Sequence, residues 1–150
     1  MTEIKKKLLA EQIQALLLAA EILRSSYEKC QIIGIGPGLD NEQMERFEAL
    51  TARFARLSDM IIQQILRSID VLDLEDTGTV RDRINRAEKK GLIGSADDFV
   101  QIRMLRNEIA HEYKTQTILE IFERVLMLTP TLLQAVENIK RWEFNTDLVY

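Results

Sequence analysis

Cysteine, histidine, proline and glycine are scarce in this chain, and each scarcity excludes something. Cys30 is the only cysteine among 150 residues, which excludes an intramolecular disulfide and predicts a reducing, cytoplasmic location. The chain has only one histidine in addition to this cysteine, so a zinc-type site is not expected, and we predict no metal or other cofactor. Two prolines and six glycines leave few helix breakers, so long uninterrupted elements are predicted.

Long hydrophobic runs are also missing. The longest wholly apolar run near the N-terminus extends from Ala15 to Ala20, which is too short to cross a bilayer. Polar residues such as Glu11 and Glu21 interrupt the apolar stretch after Lys5–Lys7, so it does not fit a signal peptide. The sequence therefore predicts no membrane association.

An excess of positive charge is likewise absent, because the net charge is −4 and the sequence pI is about 5.2. This balance disfavours broad, nonspecific nucleic-acid binding, which requires many basic contacts. A local basic groove stays compatible with it, because the distribution of charge sets the surface potential. The residues from Arg81 to Lys90 could form such a groove or a solvated face of salt bridges, and the sequence favours neither.

Apolar residues recur at helical spacing almost throughout the chain, which predicts a single all-α domain over residues 1–150. A long first helix is predicted from Thr2, with a stripe that includes Ile4 and Leu8, fading near Tyr27–Cys30. A loop follows over Gln31–Leu39. The second helix is predicted to start at Asp40 or Asn41 and to end near Asp73.

The second half of the chain carries further helix boundaries. Thr79 and Ser95 are predicted to cap a short third helix and a fourth helix, and Thr117 with Glu120 resembles a capping box for the last helix. Pro130 predicts a kink or restart near Thr129, and the tail after Trp142 is expected to be loose. The predicted architecture is an up-and-down antiparallel bundle with a short crossing helix and a kinked C-terminal helix.

One octapeptide, Arg106-Asn107-Glu108-Ile109-Ala110-His111-Glu112-Tyr113, contains the only histidine. Arginine stays charged at all relevant pH values, and histidine titrates near neutrality. Asn107 and His111 share a helix face, whereas Arg106 and His111 would lie roughly 140° apart on a regular helix. Either the helix ends before Tyr113, or the site combines residues of two chains, as a symmetric dimer would allow.

The octapeptide also fits an ordinary structural role. His111 could simply end a helix, Arg106 could lie on the surface, and Tyr113 could be a half-buried anchor. Other residues favour packing: Met44, Met60, Met104, Met127 and Trp142 lie at predicted packing positions, and Cys30 has no histidine near it in sequence.

The Arg106-Asn107-x-x-x-His111 pattern resembles the signature of HEPN domains. With Tyr113 it is similar to the Arg-x-x-x-x-His-x-Tyr form of HepT toxins, also described as nucleotidyltransferase substrate-binding proteins. Arg53–Asp59 and Asp82–Lys89 resemble the second and third helices of that family, so the likeness covers about residues 46–113. Arg56 and Asp59 are expected to pair beside the motif.

The resemblance implies a homodimeric, metal-independent endoribonuclease toxin with a HEPN-like fold. Arg106, Asn107 and His111 would be catalytic, and His111 would act as general acid or base on an RNA phosphodiester. Arg103 and Lys114 are candidate RNA-binding residues. A minimal nucleotidyltransferase antitoxin would transfer AMP to Tyr113 and so block the cleft.

Two alternatives use the same bundle differently. It could be a noncatalytic subunit that presents a substrate or docking surface to the nucleotidyltransferase. It could also be a helical scaffold in which the octapeptide only stabilises a contact between subunits.

Overall fold

Helices make up most of the chain in the computed structural model, which describes residues 2–76, 78–111, 115–146 and 148, with the backbone alone at 115 and 116. No strand occurs among these residues, so the prediction of an all-α bundle is confirmed. The elements are α1 (Thr2–Ile33), α2 (Asn41–Asp59), a π-helical segment (Met60–Ile65), α3 (Leu66–Leu72), α4 (Val80–Lys89), α5 (Ala96–Ala110) and α6 (Thr115–Thr146).

The predicted starts of α2 and α4 are confirmed, and each has a complete capping box. The Asp40 carboxylate accepts a hydrogen bond from the Gln43 amide at 2.8 Å, and the Gln43 side chain accepts one from the Asp40 amide at 3.0 Å. Thr79 and Asp82 make the same reciprocal pair at 3.0 and 2.9 Å. Both boxes satisfy amides that a helix leaves unpaired in its first turn.

The first helix is longer than predicted and faces the core differently. It continues to Ile33, so the loop begins at Gly34. Ile4 and Leu8, expected in the buried stripe, are 70% and 52% exposed. The apolar periodicity of α1 extends around more of its circumference than the neighbouring helices cover, and periodicity alone does not say which part is covered.

The last helix also differs from its prediction. It begins at Thr115, so Thr117 lies inside its first turn and is not its cap. The predicted restart near Thr129 is wrong, because α6 continues through Pro130. Pro130 is exposed, and the buried Thr129 hydroxyl donates to the Val125 carbonyl at 2.6 Å in the preceding turn.

The expected loose tail after Trp142 is wrong for residues 143–146, which are helical. The helix extends to Thr146, the side chain of Trp142 packs against the core, and Leu148 is only 1% exposed. Burial of these apolar groups stabilises the last turns of the helix. The sequence pattern does not show which residues near the C-terminus are buried.

The core takes buried residues from every helix, and between α2 and α6 the rings of Phe47 and Phe122 stack with centroids 5.1 Å apart. Helix α5 packs against α2 and α6, and α4 crosses between α5, α3 and the π-helical segment. The ion pair of Arg81 with Asp97 and the contact of Glu88 with Ala96 place the short α4 against the start of α5. No helix among the described residues is long and apolar enough to span a bilayer.

The predicted second helix follows one continuous path through Ile69, but its middle is widened. The segment Met60–Ile65 is π-helical, with the Leu66 amide donating to the Ile61 carbonyl. From α4, the Arg83 guanidinium donates to the Ile62 carbonyl at 3.1 Å. A side chain from another helix thus contacts the backbone of the widened turn, which begins directly after Asp59.

Candidate functional site

The octapeptide lies at the C-terminal end of α5, and the start of that helix is well anchored. The Ser95 hydroxyl accepts from the Asp98 amide at 3.2 Å, as predicted for its cap. A carboxylate oxygen of Glu88 accepts from the Ala96 amide at 2.7 Å and ties α5 to α4. Fully buried Phe99 holds the inner face against the core. The position of the motif is therefore set by the bundle.

Arg106 forms a bidentate ion pair with Asp59, the last residue of α2. Its Nε lies 2.6 Å from Oδ1 and its Nη2 lies 2.7 Å from Oδ2. The hydrogen bond to Asp59, aided by the charge of that carboxylate, raises the pKa of Arg106 against the opposing effect of its partial burial. The expected Arg56–Asp59 pair is wrong, because Asp59 pairs with Arg106 and Arg56 has no ion pair within the described residues.

The ion pair leaves part of the guanidinium available. An arginine has five N–H donors, and a carboxylate bound to the Nε and Nη2 edge occupies two of them. The side chain of Arg106 keeps 29% of its surface exposed. Arg106 can therefore stay paired with Asp59 and still donate from Nη1 to an anion.

The helix ends just before His111, which was one of the two predicted solutions to the motif's geometry. The last residue of α5 is Ala110, and His111 has an extended backbone with φ −94° and ψ 149°. The His111 amide donates to the Glu108 carbonyl at 3.1 Å. Asn107 and His111 are both exposed, so the histidine can meet a ligand from solvent.

A second ion pair fixes this end of α5 to the next helix. Glu108 accepts from Arg124 of α6 at 2.5 Å. Tyr113 and Lys114, the candidate AMP acceptor and one candidate RNA contact, lie outside the described residues. The site is thus described through its arginine, asparagine and histidine.

The basic residues of α4 and its C-cap divide into two groups. Arg86 and Lys90 pair with the carboxylate of Asp70 at 2.8 and 3.3 Å, and Arg81 lies 3.6 Å from Asp97. For these three the salt-bridged interpretation is correct. They hold α4 against α3 and the start of α5, so their charges are already compensated.

Arg83 and Lys89 form the second group: Arg83 donates its hydrogen bond to a backbone carbonyl and not to a carboxylate, and exposed Lys89 has no ion pair within the described residues. Arg103, the other candidate RNA contact, is exposed one turn before Arg106. Arg67 was not identified from the sequence, and it lies close enough to influence Arg83. Nothing in the spacing along the chain indicates that α3, α4 and α5 bring these three arginines together.

The burial of three side chains outside the motif bears on the sequence predictions. Met104 and Met127 are 59% and 68% exposed, so the prediction that they pack in the core is wrong. Cys30 is fully buried, and burial raises the pKa of its thiol, which favours the unreactive protonated form. Among the described residues, no group of three or more His, Cys, Asp or Glu side chains is arranged to hold a metal ion.

Comparison with known proteins adds no relative to this geometry. Neither the family models, nor the curated proteins, nor the solved structures match this chain. The likeness to HEPN domains therefore remains an expectation drawn from the residues of the sequence.

Proposed function

We propose that this protein is a HEPN-type endoribonuclease toxin that cleaves RNA without a metal ion. The observation that carries the proposal is a fixed cation beside an exposed titratable group: Arg106 is held by Asp59, and Asn107 and His111 are exposed on the same end of α5. Cleavage of a phosphodiester by a neighbouring hydroxyl requires proton transfer and stabilisation of the negative charge that develops on the phosphoryl oxygens.

The reaction would use the 2′-hydroxyl of the RNA as nucleophile. A base takes its proton while the 2′-oxygen bonds to phosphorus, and the bond from phosphorus to the 5′-oxygen breaks. An acid gives the leaving 5′-oxygen its proton, and a cyclic phosphate remains. Nη1 of Arg106 would donate to the phosphoryl oxygens that gain charge, and Asn107 would orient the phosphate or His111.

The cleavage needs an acid and a base at once, and each chain has one histidine. A homodimer would place a second copy of the motif across the cleft, so that one His111 acts as base and the other as acid. We place this dimer in the cytoplasm, where the lone Cys30 would stay reduced.

Tyr113 would be the point of control. Transfer of AMP from ATP by a minimal nucleotidyltransferase would add negative charge and a bulky base two residues from His111. Both changes oppose the entry of an RNA phosphate. The unmodified protein would then be the toxin, and the modified protein its neutralised form.

The test is cleavage of total cellular RNA, without divalent metal, by unmodified wild type, Arg106→Ala, His111→Ala and Arg141→Ala. Arg141 is exposed on α6, roughly 40 Å beyond Thr115 at about 1.5 Å per residue, so it controls for loss of one charge. We expect wild type and Arg141→Ala to cleave, and the two motif variants to lose at least about a hundredfold in rate. Absence of cleavage by wild type would contradict the proposal.

The second candidate function is a noncatalytic docking subunit for the nucleotidyltransferase. Met104, a large apolar side chain that is 59% exposed two residues before Arg106, would be one of its contacts with that partner. In that case Met104→Ser would weaken co-elution with the nucleotidyltransferase, and no variant would change RNA. Growth arrest on expression that His111→Ala abolishes would instead favour the toxin.

A further inference from the structure

Three arginines from three helices converge next to the motif. Arg67 of α3, Arg83 of α4 and Arg103 of α5 are near enough for their charges to interact. Burial lowers the pKa of Arg83, Asp70 opposes this, and the positive charges of Arg67, Arg86 and Arg103 lower it further. Arg86 forms an ion pair with Asp70. The three arginines of this group that form no ion pair are Arg67, Arg83 and Arg103, and we call them the arginine strip.

No arginine of the strip forms an ion pair within the described parts of the chain, and the only carboxylate that acts on Arg83 there, Asp70, is shared with Arg86 and Lys90. Arg67 and Arg103 are exposed, and neither has an ion-pair partner within the described parts of the chain. Arg83 donates Nη1 to the Ile62 carbonyl, and its Nε is buried without a hydrogen-bond partner there. Three like charges that share part of one carboxylate's charge keep a local positive potential that attracts an external anion.

This lack of an ion pair contrasts with two nearby cations, Arg86 and Lys90. In a chain of net charge −4, Arg86 and Lys90 close by share Asp70, and Lys90 also lies 2.6 Å from Asp73. The acidic residues at this side of α4 therefore serve the salt-bridged face, and the arginine strip is left positive. The positive charge of the strip is therefore local and is not part of a generally basic surface.

The strip is aligned with the proposed catalytic residues. Arg103 precedes Arg106 by three residues and Asn107 by four, so the three share one face of α5. One helical turn, roughly 5 Å, separates Arg103 from them. Beyond Arg103, α4 contributes Arg83 and α3 contributes Arg67, which continues the positive charge away from His111.

We propose that the arginine strip binds backbone phosphates of single-stranded RNA on one side of the scissile phosphate. The inference rests on the proposed function and extends it, because it names the path by which the substrate reaches the motif. Arginine forks suit phosphate oxygens, and contacts of this kind carry no base sequence. The strip therefore supplies affinity and direction, and Arg83, fixed on Ile62, is its rigid centre.

The test measures binding apart from cleavage. A fluorescently labelled single-stranded oligouridylate is titrated with His111→Ala protein at several salt concentrations, with anisotropy as readout. Arg67→Gln, Arg103→Gln and their combination are compared with Arg141→Gln, all on the His111→Ala chain. Arg83 is left in place because its contact with Ile62 supports the fold.

We expect the combined variant to bind at least about tenfold more weakly, with the slope of log affinity against log salt reduced by about 1.4, or about 0.7 for each lost phosphate contact on a single strand. Arg141→Gln should bind as its parent does. Equal affinity and slope for the combined variant and Arg141→Gln would overturn the proposal. So would loss of binding to the nucleotidyltransferase with RNA binding unchanged, since the strip would then be a protein-docking surface.

Failure of the strip and failure of the proposed function give different results. If protein with His111 intact binds RNA through Arg67 and Arg103 but never cleaves it, the strip stands and the nuclease proposal fails. If wild type cleaves RNA and the Arg67→Gln, Arg103→Gln variant binds and cleaves equally well, the nuclease stands and the strip fails.

Discussion

The guanidinium of Arg106 is held in one orientation by a neighbouring carboxylate. Free in solution, its guanidinium would rotate about several bonds, and part of its binding energy would be lost in ordering it. Asp59 holds the Nε and Nη2 edge at 2.6 and 2.7 Å, so Nη1 has a defined direction. In the proposed reaction Asp59 is a positioning residue, because it would act through Arg106 and not on the RNA.

Asp59→Asn is therefore expected to lower kcat by about tenfold or more with little change in KM, because Arg106 would no longer be oriented in the transition state. The pair is 29% and 39% exposed, so the loss in unfolding free energy should be about 1 kcal/mol or less. Steady-state kinetics and urea denaturation measure the two effects.

Asp59→Glu serves as the matched variant, since a carboxylate on a longer arm can still pair with Arg106 and should restore part of kcat. If Asp59→Asn loses stability but keeps the wild-type kcat, the Asp59–Arg106 pair only joins α2 to α5. The positioning role would then be wrong.

Among the elements, α6 contains a buried polar group that works against stability. Near its C-terminal end, one carboxylate oxygen of Glu143 is buried and has no hydrogen-bond partner among the described residues. Burial raises the pKa of Glu143, because the charged form loses hydration. Trp142 and Leu148, at the same end of the chain, pack against the core.

Glu143→Gln should stabilise the protein at neutral pH. A raised folded pKa means that the carboxyl's contribution is fully present below its unfolded pKa, about 4.3, and is lost as pH rises through the folded value. The amide has no charge to bury. We expect a gain in unfolding free energy at pH 7 and almost none near pH 4, where the carboxyl is largely protonated in both states.

Urea denaturation at both pH values measures this difference. Glu120→Gln, which removes the same charge from an exposed position on α6, is the control and should change stability little at either pH. An equal gain for Glu143→Gln at pH 4 and pH 7 would show that charge burial is not its cause.

At the scale of the whole molecule, the bundle leaves the motif end of α5 open to solvent. Asn107, His111 and Met104 are all exposed there, which is the arrangement that a site shared by two chains would require. In such a site, one defective chain would disable both motifs of the dimer.

An equal mixture of wild type and Arg106→Ala, allowed to exchange subunits, should therefore keep about a quarter of the wild-type cleavage rate, because about a quarter of random dimers contain two intact chains. The rate is measured on the same RNA at constant total protein. Mixing with Arg141→Ala, the control, should cost nothing. A mixture with half of the wild-type rate would mean that each chain works alone.

Local physics explains what could be predicted from the sequence. Asp40, Thr79 and Ser95 cap helices through atoms three residues away, so their roles are visible in the sequence itself. The all-α fold follows from apolar spacing in the same way. The motif was also found locally, since Arg106, Asn107 and His111 lie within six residues of one another.

The sequence by itself determined the helical class, most helix starts and the chemistry available at the motif, because these depend on residues within a turn or two. Only the tertiary structure decided that Asp59, 47 residues away, pairs with Arg106, and that Arg67 and Arg103 lie near enough to Arg83 for their charges to act on it. Such contacts depend on how helices pack, and packing depends on the whole core. The same reason explains why α1 exposes Ile4 and why α6 continues through Pro130.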